Sequence, residues 1–210
     1  MRIGGFQKFS LSDFPGLPAA IVFTQGCNFR CPFCHNGGLI PDTPQDGLLI
    51  PEEYVLSFLC SRAGKLDGLV VTGGEPTLQK GLAAFLRNVR EIGYRIKIDT
   101  NGSRPEVLEM LISEGLLDFV SMDVKAPPGA YDRLTGVRAP IGEIIRSIDI
   151  LSRCGIEHEF RTTRVTDLLS DTDLDEVAWM IPDGATFRMQ AFDPAMAFDR
   201  SLRRADAAGA

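Results

Sequence analysis

The chain has 210 residues, of which 44% are hydrophobic and 24% charged, a globular composition that excludes disorder, collagen and coiled coil and leaves room for one sizeable core. With 28 acidic against 22 basic residues its net charge is −6, so no general electrostatic attraction to nucleic acid or an anionic membrane is expected. Met1 to Phe9 carry no secretory pattern and the apolar run Ala19–Phe23 is too short to cross a bilayer; the expectation is a cytoplasmic single domain over 1–210, with a short tail that frays after Asp199.

From Pro18 onward, short β-branched or apolar runs alternate with longer amphipathic ones, the pattern of parallel strands separated by helices. The strands predicted in chain order are Ala19–Thr24, Gly68–Thr72, Arg95–Asp99, Phe119–Asp123, His158–Val165 and Phe187–Phe192. Between them come helices over Pro51–Arg62, Leu78–Ile92, Pro105–Glu114, Ile141–Arg153 and Asp171–Ile181. Pro51 is expected in the first turn, with Glu52 and Glu53 at the positive end of the helix, while Gly93, Gly115 and Gly155 supply left-handed stops. Such a count of β/α units is smaller than a closed barrel takes, which predicts an α/β fold of the incomplete (β/α)6-type TIM barrel, open on one side. A doubly wound sheet shares the local pattern, and periodicity does not separate the two. In both, chemistry gathers at the carboxyl ends of the strands, where the distinctive residues fall.

The first of these segments is Gly26-Cys27-Asn28-Phe29-Arg30-Cys31-Pro32-Phe33-Cys34-His35-Asn36, directly after the first predicted strand. Cys27, Cys31 and Cys34 are soft ligands close enough to converge on one centre. Structural zinc normally takes a fourth protein ligand, and only His35 is nearby, awkwardly adjacent to Cys34. Cys60 and Cys154 lie in predicted helices and read as small buried hydrophobes. A four-iron cluster is ordinarily held by four thiolates, so three leave one iron open to a substrate.

The spacing Cys-x3-Cys-x2-Cys, with the aromatic Phe33 before the last cysteine, resembles the cluster motif of the radical S-adenosylmethionine (SAM) superfamily. The resemblance implies a [4Fe-4S] cluster on Cys27, Cys31 and Cys34, chelation of SAM by its open iron, and reductive cleavage of SAM to a 5′-deoxyadenosyl radical. Phe33, His35 and Asn36 would border that cofactor. Thr72-Gly73-Gly74-Glu75-Pro76 could be a phosphate-binding turn, but its acidic residue would repel phosphate; it looks like the motif that receives the SAM amine, giving roles to Gly73, Gly74 and Glu75. Asp99-Thr100-Asn101-Gly102 is on its own a tight turn, and Met122-Asp123-Val124-Lys125 a strand end with a surface ion pair. Together they resemble the segments of glycyl-radical-enzyme activating enzymes that surround the SAM carboxylate and ribose. This implies cofactor-binding roles for Asp99, Thr100, Asn101, Asp123 and Lys125, the last as the cationic partner of the SAM carboxylate. In some relatives a monovalent cation is held at positions that map onto Asp99, Thr100, Met122 and Asp123. On the fifth predicted strand, alternation puts Thr162 and Arg164 on one face, with Thr162 the SAM-pocket candidate. Gln190 and Phe192 are candidates to face the same cavity, with core packing an equal explanation of Phe192.

Gly5 to Ser10, Asp13-Phe14-Pro15-Gly16, Phe23 to Gly26, Cys34-His35-Asn36, Met122 to Pro127 and Glu159 to Thr163 extend the likeness to the anaerobic ribonucleoside-triphosphate reductase activating proteins. The implied partners are a glycyl radical enzyme, that reductase, and a low-potential electron donor such as flavodoxin or ferredoxin. Two other readings stand beside it: a radical SAM enzyme acting on a small molecule, like the 7-carboxy-7-deazaguanine synthases, and a non-enzymatic zinc or redox module.

Overall fold

The computed structural model describes residues 1–44 and 46–204, and its sheet begins earlier than expected, with a strand over Ile3–Ser10 (β1) that runs antiparallel to Ala19–Thr24 (β2). The remaining strands are Gly68–Gly73 (β3), Arg95–Thr100 (β4), Phe119–Asp123 (β5), Glu157–Arg164 (β6) and Thr186–Ala191 (β7), each parallel to its predecessor. Spatial order equals chain order from β1 to β7. A doubly wound sheet would reverse direction at a switch point, whereas this one winds steadily in one sense, as the wall of an incomplete barrel does.

Helices Glu52–Arg62 (α1), Leu82–Ile92 (α2), Pro105–Ser113 (α3), Tyr131–Thr135 (α4), Ile141–Arg153 (α5) and Asp171–Met180 (α6) lie in the connections. In α2 the buried residues are Leu82, Phe85, Leu86 and Val89, the three-and-four spacing that lays one apolar stripe on the sheet. α5 repeats it with Ile144, Ser147, Ile148 and Leu151. Gly93 ends α2 at φ 104°, and Gly115 and Gly155 follow α3 and α5 at φ 67° and 70°, so all three predicted stops adopt the left-handed conformation. Pro51 caps α1 from outside instead of opening its first turn, and α2 starts later than Leu78 because Pro76–Leu78 forms a separate 3-10 turn.

Alternating side chains on each strand face two different cores. Outward, Ala20, Val22, Leu69, Val71, Ile96, Ile98, Val120 and Phe160 pack under the helices; each such fully buried aliphatic or aromatic residue contributes roughly 1.5–3 kcal/mol. Inward, a smaller cluster of Phe14, Ala19, Ile21, Val70 and Phe119 plugs the amino-terminal half of the barrel. Toward the carboxyl ends the inward positions become polar. That leaves a chamber above an apolar floor.

Cys60 departs from expectation. α1 buries Val55 and Leu59, one turn apart, which rotates the next residue outward, and Cys60 is exposed; Cys154, just past α5, is half-buried. Of the tail expected to fray after Asp199, Arg200–Arg204 form a 3-10 helix and residues 205–210 lie outside the described residues. No helix among the described residues is long and apolar enough to cross a membrane.

Candidate active site

The cysteine segment leaves β2 through Gly26, at φ 100°, and is pinned by backbone bonds from Gly26 N to Leu39 O (2.8 Å), Cys27 N to Ile40 O (3.0 Å) and Arg30 N to Thr135 O (2.7 Å). Phe29 and Phe33 are buried beneath it. Cys31 is buried, while Cys27 and Cys34 are half-buried. All three thiols border one cavity of about 440 Å³ at the carboxyl ends of the strands.

Gly73 and Gly74 are required by how closely β3 approaches this loop. A Cβ on Gly74 would lie 2.2 Å from the Gly26 carbonyl oxygen, and one on Gly73, already at φ 111°, 2.4 Å from the Thr24 nitrogen. The Glu75 amide then donates to Gly26 O (2.9 Å). Glu75 itself is 1% exposed. Its Oε1 accepts from Thr77 N (3.0 Å) and from the Thr77 and Thr100 hydroxyls, and its Oε2 from Asn101 N (2.7 Å). Burial pushes its carboxyl above the usual range, against the pull of these donors. The Asn101 side-chain Nδ2 donates to Asn28 Oδ1 (2.9 Å), so three segments distant in sequence form one hydrogen-bonded rim.

Across the mouth runs a line of alternating charge. Lys97 pairs with Asp99; Arg161 lies 3.6 Å from Asp99 and bonds Asp123 at 2.9 Å; Lys125 bonds the other Asp123 oxygen at 2.9 Å. Burial opposes ionisation of Asp123, but Arg161 and then Lys125 outweigh it and hold its carboxyl well below the usual range. Burial pushes the thiols up, Cys27 to about 12 and Cys31 to about 11, and Cys34 upward as well; the field of Lys125 opposes this at each of them.

Of the predicted site residues, Phe33, His35, Asn36, Gly73, Gly74, Glu75, Asp99, Thr100, Asn101, Asp123 and Lys125 border the cavity with the cysteines. Thr162 does not. It is 1% exposed and its hydroxyl donates to Val124 O (2.7 Å), on the outward face of β6. The inward positions are its neighbours Arg161 and Thr163, and Arg164 is exposed, paired with Asp171. Arg161 is the residue that sequence reasoning missed; it stands between the two carboxylates mapped to a monovalent cation. Gln190 borders the cavity, whereas Phe192 stacks on the His35 ring, centroids 5.8 Å apart.

Three thiols facing one chamber suit a polynuclear cluster with a vacant corner. His35 is a poor fourth ligand, because its Nε2 accepts the backbone N–H of Asp193 (3.3 Å). Among the described residues no three His, Cys, Asp or Glu side chains close on a single ion. Beside the thiols, the chamber presents Lys125 for a carboxylate and Asp99 and Asp123 for hydroxyls or an ammonium. This donor set fits a cluster and an amino-acid-bearing nucleoside together.

Residues 21–180 match the family model of the radical SAM superfamily, and the chain belongs to it. A [4Fe-4S] cluster and SAM are accordingly its cofactors. Among its relatives, a Methanocaldococcus jannaschii protein named for glycyl-radical enzyme activation is 33% identical over 208 residues, covering 96% of this chain and 84% of the relative. A Saccharolobus solfataricus protein named as a GTP 3′,8-cyclase is 31% identical over 121 residues, which is 57% of this chain and 38% of that one. In fold, the chain is similar to Streptococcus suis SuiB bound to precursor peptide SuiA (TM-score 0.63, 15% identity, 87% of this chain and 43% of that one). It is also similar to Escherichia coli HemN, coproporphyrinogen III oxidase (TM-score 0.61, 18% identity, 93% and 49%). The chain thus spans under half the length of both solved chains.

Proposed function

We propose that this chain is a glycyl-radical-enzyme activating enzyme: it removes a hydrogen atom from a glycine α-carbon of a large partner enzyme, an anaerobic ribonucleoside-triphosphate reductase. The observation that carries this reading is the sustained likeness to a relative named for that activity, over 96% of the chain; the likeness to the cyclase stops at 57%. A barrel left open between its two edge strands, β1 and β7, supports it, because a protein loop needs a side entrance. The chain is read as one radical SAM domain acting in the cytoplasm, with a low-potential donor such as flavodoxin or ferredoxin.

When bound, the cluster and SAM supply reductive cleavage of the sulfonium and the hydrogen-abstracting product. The protein's part is placement. Cys27, Cys31 and Cys34 would hold the cluster in the cavity they share. Lys125, its charge favoured by Asp123 despite burial, would pair with the SAM carboxylate, the strongest kind of contact for a partly dry site. The rim of Gly73, Gly74 and Glu75 would meet the amine, and Asp99 and Asp123 the ribose. Buried Phe29 and Phe33 exclude water below the thiols.

The test is to mix reconstituted protein, SAM and reductant with the reductase and record its electron paramagnetic resonance (EPR) spectrum. A glycyl signal that depends on SAM is expected. Turnover of a purine-like small molecule with no protein partner would favour the small-molecule reading instead, and zinc without labile sulfide the non-enzymatic module.

A further inference from the structure

Beyond the last strand the chain turns back over the outside of the cysteine loop. Phe192 stacks on His35 with an interplanar angle of 20°, and Asp193 N donates to His35 Nε2. Asp199 N donates to Pro32 O at 2.8 Å, a carbonyl between Cys31 and Cys34. A Cβ on Gly37 would lie 2.6 Å from the Phe198 ring, so that side chain packs directly against the glycine just past the last cysteine. Ala197 is wholly buried and its carbonyl is held by Arg203 Nε (2.7 Å). Phe192 and Leu202 pack onto the core cluster that includes Cys31 and Phe33.

These contacts are distributed along the whole segment, and those made to the cysteine loop fall on residues 32–37. The cavity side of the loop stays clear. Without the segment, residues 32–37 keep among the described residues only short-range bonds, such as Cys34 N to Cys31 O and Ile40 N to Gly37 O, which set local turns; the bonds that fix the loop against the barrel lie on either side of them, at Arg30 N and at Gly38 to Pro41. From this arrangement we infer that residues 192–202 are a strap that positions the cysteine loop, with Phe198 the positioning residue whose packing on Gly37 holds Cys34 in place for the cluster. The strap rests on the presence of the cluster and not on the identity of the substrate.

The experiment uses the full chain, reconstituted anaerobically, with iron release to a chelator and the EPR spectrum of the reduced cluster as readouts. Phe198→Ala is expected to release iron roughly three- to tenfold faster, the range that follows from losing one aromatic contact, and to broaden or shift the cluster signal. Phe198→Leu should restore much of the wild-type rate. Gly37→Ala, which displaces the ring from the loop side, should mimic Phe198→Ala, and the double variant should be no worse than either single one. Met196→Ala, on the same segment and about as exposed as Phe198 (54% against 46%) but not the side chain that meets Gly37, should behave as wild type. Thermal melting of the cofactor-free forms should stay at the wild-type value, which separates loop placement from loss of fold. Unchanged iron release and spectrum in Phe198→Ala, or equal acceleration in Met196→Ala, would overturn the strap. Failure of the activase reading looks different: no radical appears on any reductase, while the Phe198 series still alters iron release.

Discussion

Glu75 Oε2 accepts the backbone N–H of Asn101 at 2.7 Å, which ties the carboxyl end of β3 to that of β4 directly beneath the cysteine loop. The bond is one of four that end on this buried carboxylate. Glu75→Gln keeps the shape but places an amide NH2 against groups that are themselves donors. The loss is expected to be about 2–3 kcal/mol, the scale of charged hydrogen bonds replaced by an unsatisfied donor. Urea unfolding of the cofactor-free protein measures it, and a SAM titration of the reconstituted variant should show weakened binding with iron retained. Wild-type stability in Glu75→Gln would mean the rim does not depend on the carboxylate.

Cys31→Ala bears on the cluster assignment. Cys31 is 7% exposed and lies in the main core cluster, so its truncation has a packing cost in addition to a lost ligand, about 1 kcal/mol for one buried heavy atom. The variant should remain folded by circular dichroism, yet retain no cluster iron and cleave no SAM. Retained cleavage in that variant contradicts the assignment of the thiols.

The legible part of the molecule was the part governed by period and by special backbone. Six strands agree with the sequence pattern to within one residue at each end, because runs such as Ala20-Ile21-Val22 and Leu69-Val70-Val71, buried on both faces, read as continuous apolar segments. The glycine stops were equally legible. β1 was not: Gly4 and Gly5 depress its strand signal and Gln7, Lys8 and Phe9 are exposed, leaving no clean alternation. α4, five residues long, is too short for a helical period to show. On β6 the alternation was right but its phase was wrong. Thr162 looked like the polar, cavity-facing member, whereas it sits outward with its hydroxyl satisfied by Val124 O, and the larger charge of Arg161 goes inward because Asp99 and Asp123 face it. A phase can be read from sequence only when one face is plainly apolar, and Glu159-Phe160-Arg161-Thr162-Thr163 offers Phe160 alone as a guide.

That phase is testable by a paired substitution. Thr162→Val removes a hydroxyl from the outer face and should leave SAM affinity within about twofold of wild type, with a stability loss of about 1 kcal/mol for one buried hydrogen bond. Arg161→Gln, one residue away, removes the charge between Asp99 and Asp123 and should weaken SAM binding by roughly tenfold or more, since a tenfold loss corresponds to only about 1.4 kcal/mol. Isothermal titration with SAM ranks the two; the reverse order would place Thr162 back in the pocket.

Acid stability follows from the same pair. Asp123 has its carboxyl held below the usual range by Arg161 and Lys125 against the cost of burial, so the folded state binds a proton there less readily than the unfolded chain does. Its contribution is therefore fully present above the unfolded Asp value of about 3.9 and is lost as pH falls from there toward the folded value. Cofactor-free wild type should lose stability steeply below pH about 4, and Asp123→Asn, which has no proton to take up at that position, should show a shallower slope while being less stable at neutral pH. In Arg161→Gln the Asp123 carboxyl regains part of its normal affinity for protons, which moves the loss to higher pH and narrows the window. Breaking this partly buried pair should also lower stability at neutral pH by about 3 kcal/mol. Urea midpoints collected from pH 3 to 7 on the three proteins, a range chosen to bracket the ordinary carboxylate values of about 4, decide the point. Parallel curves for wild type and Asp123→Asn would show that Arg161 and Lys125 do not depress this carboxyl, and that the charge line across the barrel mouth is looser than its distances imply.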